Sequence, residues 1–147
     1  MKRWLIDIIC FLFVLLFIYA AASKLLDYQK FRVQLGQSPI LTAFAGWVAW
    51  MIPAIEIAIS VMLAVERLRL IGLYASFSLM TMFTTYIVVI TKYSEYVPCS
   101  CGGILQNMTW NQHLVFNIVF TILAVIGILL YSKQTVTKVI DENISFT

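Results

Sequence analysis

The sequence predicts an all-α integral membrane protein, a four-transmembrane-helix bundle in the N-in/C-in orientation, and three observations carry that prediction. Four apolar stretches are each long enough to cross a hydrocarbon core roughly 30 Å thick, which takes about 20 helical residues. The 147 residues are 62% hydrophobic and 12% charged, against about 25% charged in soluble domains, and mean hydropathy is +0.93. The stretches and their short loops use nearly the whole chain: 1–132 reads as one membrane domain and 133–147 as a polar tail.

The first span, 4–22, contains a single charge, Asp7. Lys2-Arg3, the apolar run and Ala20-Ala21-Ala22 imitate the three regions of a cleaved signal peptide, but Asp7 interrupts the basic region and the run is long enough to be a retained span. Ser23 to Pro39 is polar with Tyr28 and Phe31, which predicts a short interfacial helix ended by Gly36 and Ser38-Pro39. The second span, 40–65, contains only Glu56. Glu66 to Arg69 leaves room for a minimal turn, so the second and third spans form a tight antiparallel hairpin. The third span, 70–91, and the fourth, 114–132, contain no charge. Between them the loop Lys92 to Gln112 holds Pro98, Cys99-Ser100-Cys101-Gly102-Gly103 and Trp110.

Orientation follows from Lys and Arg in the short flanks. With the N-terminus inside, Lys2, Arg3, Arg67, Arg69, Lys133 and Lys138 lie inside and Lys24, Lys30, Arg32 and Lys92 outside, six against four. Cys99 and Cys101 then face the extracytoplasmic side, where disulfides persist. The net charge of +3 sits beside membrane ends and forms no groove-lining cluster, so no nucleic-acid partner is indicated; the evident partner is membrane lipid.

A Cys-x-Cys pair brings two Cα atoms within disulfide range, but closes a small, strained ring, and strain makes a disulfide a better oxidant. Pro98 before it and the glycines after it suit such a turn. A static clip over one residue closes almost no loop and gains little stability. Three readings stay open: a redox pair, a structural or incidental pair, and a soft-metal site of Cys99, Cys101 and His113 for copper(I) or zinc, one ligand short of a closed zinc site. In the redox reading His113 lowers a thiol pKa or shuttles a proton. Cys10 is no partner for the pair, since it lies near the inner end of the first span, an axial gap on the order of 20 Å away.

Glu56 falls nearly halfway along the second span, where an ionised carboxylate is costly and is expected to face the bundle interior, paired or neutral. Pro53, one turn earlier, frees the carbonyl of Ala49. By depth, Ser78 and Thr81 are the expected partners of Glu56, while Lys24 is expected to lie too far for direct contact. Trp47, Trp50 and Trp110 suit either interfacial anchoring or the wall of a cofactor pocket.

Ala22-Ser23-Lys24-Leu25, Pro53-Ala54-Ile55-Glu56 and Cys99-Ser100-Cys101-Gly102-Gly103, in that order, resemble the MauE/DoxX-like family of redox-associated membrane proteins, nearest its methylamine-utilisation MauE branch, over roughly Leu5 to Tyr131. The matching residues are Lys24, Glu56, Cys99 and Cys101. The resemblance implies a four-helix bundle in a bacterial inner membrane, similar to quinone-coupled thiol oxidoreductases, with a periplasmic thioredoxin-like partner. On that reading the chain is a membrane thiol-disulfide redox protein: Cys99 and Cys101 exchange electrons, with Glu56 and His113 assisting. A quinone is the expected cofactor, near Lys24, Trp47, Trp50 and Trp110. The alternative is a non-enzymatic accessory subunit, or a copper-delivery protein using Cys99, Cys101 and His113.

Overall fold

The computed structural model describes residues 2–38, 40–93 and 109–145; Cys99 and Cys101 lie outside them. Among the described residues all regular structure is helical: α1 (Lys2–Leu26), α2 (Tyr28–Gly36), α3 (Ala45–Ala64), α4 (Arg69–Tyr93) and α5 (Trp110–Ser145). Four helices, those containing α1, α3, α4 and α5, are long and apolar enough to cross a membrane.

Helix α1 outruns the expected span at both ends because nothing from Lys2 to Leu26 breaks a helix, which puts Lys24 in its last turn. α2 matches the predicted short helix, and Phe31 and Leu35, one turn apart, bury against Ala45 and Ala49 of α3. After α2 the chain turns at Ser38, whose carbonyl accepts from the Thr42 hydroxyl at 2.7 Å. A single 3-10 turn, Thr42–Phe44, leads into α3. The predicted minimal turn between the second and third spans is a second 3-10 turn, Glu66–Leu68.

The four long helices form a ring in which α1 packs beside α3 and α5, and α4 beside α3 and α5. The start of α1, the α3–α4 turn and the late part of α5 share one end of the bundle, the terminal end. In its half Phe13 of α1 is fully buried with Leu63 of α3, Leu73 of α4 and Ala124 of α5. α4 approaches α3 so closely there that a Cβ on Gly72 would lie 3.1 Å from the Leu63 backbone nitrogen. Arg69 ties three helices at this end: its Nη1 donates to Asp7 Oδ1 at 2.6 Å and its Nε to the Leu63 carbonyl at 3.2 Å. The Tyr131 hydroxyl adds a bond from α5 to the Glu66 carbonyl at 3.1 Å. Cys10 is 3% exposed within this core.

Most serine and threonine hydroxyls inside the spans donate to carbonyls of their own helices, as an apolar solvent demands. Ser60 donates to the Glu56 carbonyl at 2.9 Å and Ser76 to the Gly72 carbonyl at 2.7 Å. The fourth span does not stop at Ser132: α5 holds 36 residues, about 54 Å at 1.5 Å per residue, longer than a bilayer with its headgroup regions. The segment read as a polar tail therefore continues as helix through Ser145, past the membrane-length part of α5.

Candidate functional site

The half of the bundle away from the terminal end is less tightly filled. There a cavity of about 350 Å³ lies among all four long helices and α2, with Lys24 of α1, Phe31 of α2, Glu56 of α3, Phe83 of α4, and Trp110 and His113 of α5 on its walls.

At its centre is an ion pair. Lys24 Nζ donates to Glu56 Oε1 at 2.6 Å, with side chains only 11% and 1% exposed. The same ammonium lies 5.8 Å from the Phe31 ring centroid and 5.9 Å from that of Phe83, within cation–π range. It also approaches the Ala20 carbonyl at 3.5 Å. The expectation that Lys24 lies too far from Glu56 is thus overturned, for two reasons. α1 runs on through Lys24 as helix, and a helical side chain leans toward its own N-terminus, so the long Lys24 stem reaches back along the bundle to the depth of Glu56. Ser78 and Thr81 are not its partners: they lie on the exposed face of α4 and donate to the Tyr74 and Phe77 carbonyls at 3.0 and 2.8 Å. The buried face of α4 runs instead through Gly72, Leu73, Ser76, Met80 and Ile87.

Pro53 sits inside α3 one turn before Glu56. The chemistry of proline leaves the Ala49 carbonyl without its helical donor and loosens α3 beside the acid. Glu56 Oε2 is buried and has no hydrogen-bond partner among the described residues. The same holds for His113 Nδ1. His113, expected at the mouth of the fourth span, belongs to the first turn of α5, which begins at Trp110. The Thr109 carbonyl accepts its backbone N–H at 2.9 Å, and its ring stacks on Trp110 with centroids 6.2 Å apart.

The structure thus gathers Lys24, Glu56, His113 and Trp110 around one space and separates two residues from them. Trp47 and Trp50 are 75% and 65% exposed and line a groove on the outer surface with Tyr28 and Arg32, the position of membrane-interface anchors. Asn117 was missed by the sequence reading. It is buried on the cavity wall, and its side-chain amide donates to the His113 carbonyl at 2.9 Å. An amide four residues after a histidine in an otherwise apolar span was the available signal. No group of three or more metal-ligating side chains occurs among the described residues. The metal site drawn from Cys99, Cys101 and His113 has two of its three members outside them.

Chemically, the cavity offers apolar walls, an ion pair that neutralises itself, and two buried polar atoms without hydrogen-bond partners among the described residues. Fold and site together define a four-span integral membrane protein with an apolar pocket, built around a buried ion pair, in one half of its bundle. The chain belongs to the MauE family, since residues 2–130 match the family model described as methylamine utilisation protein MauE. No curated protein and no solved structure gives a match.

Proposed function

We propose that this MauE family protein is a membrane thiol-disulfide exchange protein that carries electrons from an extracytoplasmic thioredoxin-like protein to an acceptor dissolved in the bilayer. Cys99 and Cys101 are its exchange pair, and the membrane is a bacterial inner membrane. Its family suggests an accessory role in methylamine utilisation, and preparing disulfides in an exported partner is one such role.

The observation that carries the reading is a juxtaposition. The Cys-Ser-Cys motif falls between Tyr93 and Trp110, and the cavity with its buried Lys24–Glu56 pair has Trp110 in its wall. A thiol motif on one short connection and a pocket beside the end of that connection fit a two-stage transfer. A partner thiolate attacks Cys99 of the oxidised pair; the Cys99–Cys101 bond breaks, a mixed disulfide forms, and Cys101 leaves as thiolate. The partner's second thiol then displaces Cys99, so the partner departs as a disulfide and the pair remains as a dithiol. Two electrons and two protons pass on to the acceptor, and the Cys99–Cys101 bond forms again.

Trapping of the mixed disulfide tests this. In acid-quenched cells run on non-reducing gels, Cys101→Ser should accumulate an adduct formed in the reverse direction, when the Cys99 thiolate attacks the disulfide of the oxidised partner and no Cys101 thiol is left to displace it; Cys99→Ser should accumulate less, and the double variant none. Both cysteines remaining reduced in an oxidising compartment, with no adduct from either single variant, would refute it.

A further inference from the structure

The exchange reading calls for a lipid-soluble acceptor, and resting on that reading we infer that the cavity around Lys24, Glu56 and His113 binds the ring of a neutral para-dione, a quinone, that enters from the bilayer between α3 and α4.

The route comes from the walls. Met51 and Ile55 of α3 and Met82 of α4 line the cavity, yet all three are also exposed on the outside of the bundle. A surface that faces both the cavity and the lipid is a side opening. At the terminal end the same two helices are locked together by the Leu63–Gly72 approach, so the opening belongs to the half that holds the ion pair. What enters there comes from the hydrocarbon phase and must itself be apolar.

Size and charge narrow the occupant. About 350 Å³ lies at the small end of ligand pockets; it suits one or two fused rings, with an attached chain left in the lipid. A charged headgroup does not suit it. A carboxylate would find the Lys24 charge already matched by Glu56 at 2.6 Å, and an amine would meet the Lys24 ammonium itself. The pair sums to zero, so the favoured ligand is neutral.

Its polar atoms must nevertheless answer Glu56 Oε2 and His113 Nδ1, both buried and without partners among the described residues. A dione presents hydrogen-bond acceptors when oxidised and donors when reduced. An imidazole nitrogen matches either form, an ammonium matches the oxidised form, and a carboxylate matches the hydroxyl of the reduced form. Few neutral lipid-soluble molecules change from acceptor to donor on taking two electrons and two protons, and the site carries partners for both states.

The test uses the purified full-length protein in lipid nanodiscs, titrated with a decyl-substituted benzoquinone and followed by tryptophan fluorescence. It is run on the Cys99→Ser/Cys101→Ser variant as well, because quinones alkylate thiols and because binding must be read apart from exchange. Both proteins should show saturable quenching, most of it lost in Trp110→Phe. Ile55→Phe with Met82→Phe, at positions exposed to lipid and tolerant of size, should narrow the opening and weaken binding at least tenfold. Trp50→Phe, in the outer groove, should leave the affinity unchanged. Quenching that rises without saturation, or that is indifferent to the two phenylalanines, would overturn the site. Binding by the double-serine variant combined with no adduct from the single cysteine variants would sink the exchange reading alone; adducts without binding would sink the quinone site alone.

Discussion

Replacing Lys24 by methionine removes the counter-charge of a carboxylate whose side chain is 1% exposed. At 2.6 Å and an effective dielectric of about 20, the pair gains about 6 kcal/mol of Coulomb attraction before desolvation is subtracted. Desolvation of the two ions offsets most of that, so the intact pair contributes little net stability. Losing one member is different, because the other is left buried and uncompensated, at a cost of about 3–5 kcal/mol. Lys24→Met should therefore lower the unfolding free energy by about that amount. Glu56→Gln should cost less, since the amide oxygen still accepts from Lys24 and the ammonium retains Phe31 and Phe83. Lys24→Met combined with Glu56→Leu should recover most of the loss. Unfolding in mixed micelles, titrated with a denaturing detergent and followed by circular dichroism, measures all three. A Lys24→Met protein as stable as wild type, or a double variant no better than Lys24→Met alone, would refute the buried-pair reasoning.

Three further outcomes follow from the packing and the topology. Gly72→Ala should destabilise by about 1–3 kcal/mol, and more than Gly127→Ala. The new methyl at 72 meets the Leu63 backbone at 3.1 Å, whereas at 127 it meets only the Leu73 and Ile9 side chains at 3.1 and 3.3 Å; the same unfolding titration compares them. Arg69→Ala should cost more than Asp7→Asn, because Asp7 is half exposed and its pair is worth about 1 kcal/mol or less, while Arg69 also holds the Leu63 carbonyl. A membrane-impermeant thiol reagent added to intact spheroplasts after mild reduction should label Cys99 or Cys101 and spare Cys10; labelling of the pair only after membrane rupture would reverse the N-in/C-in orientation.

The spans were legible because hydrophobic length is set by the bilayer and read along the chain, residue by residue. Their ends were less so. Ser23 to Leu26 and Lys133 to Ser145 are polar enough to read as loop and tail, yet hold no glycine or proline, and α1 and α5 continue through them as helix. Lys24 shows the consequence: placed at the outer end of the first span it seemed out of reach of Glu56, while one more turn of the same helix turns its stem toward the acid. Glu56 itself stood out in the sequence, since a lone carboxylate at mid-membrane must have an interior partner, but which partner depends on how α1 and α4 are rotated. That rotation put Ser78 and Thr81 on the outside. Asn117 showed only as an amide four residues after His113 in an apolar span, and the side opening at Met51, Ile55 and Met82 was not legible at all, because it arises from the spacing between helices. Trp47, Trp50 and Trp110 look alike along the chain; only the faces of α3 and α5 separate the outward pair from the one on the cavity.

The most direct measurement of the electron path is a coupled one. Protein reconstituted in liposomes containing a benzoquinone is supplied from outside with a reduced thioredoxin-like dithiol, and quinol formation is followed by absorbance beside disulfide formation. Thiol-disulfide exchange through Cys99 and Cys101 predicts one quinol for each disulfide formed, with the rate abolished by Cys99→Ser and by Cys101→Ser and strongly reduced by Ile55→Phe with Met82→Phe. Quinol produced at the wild-type rate by the double-serine protein, or none produced by the wild-type protein while its cysteines stay reduced, would contradict it.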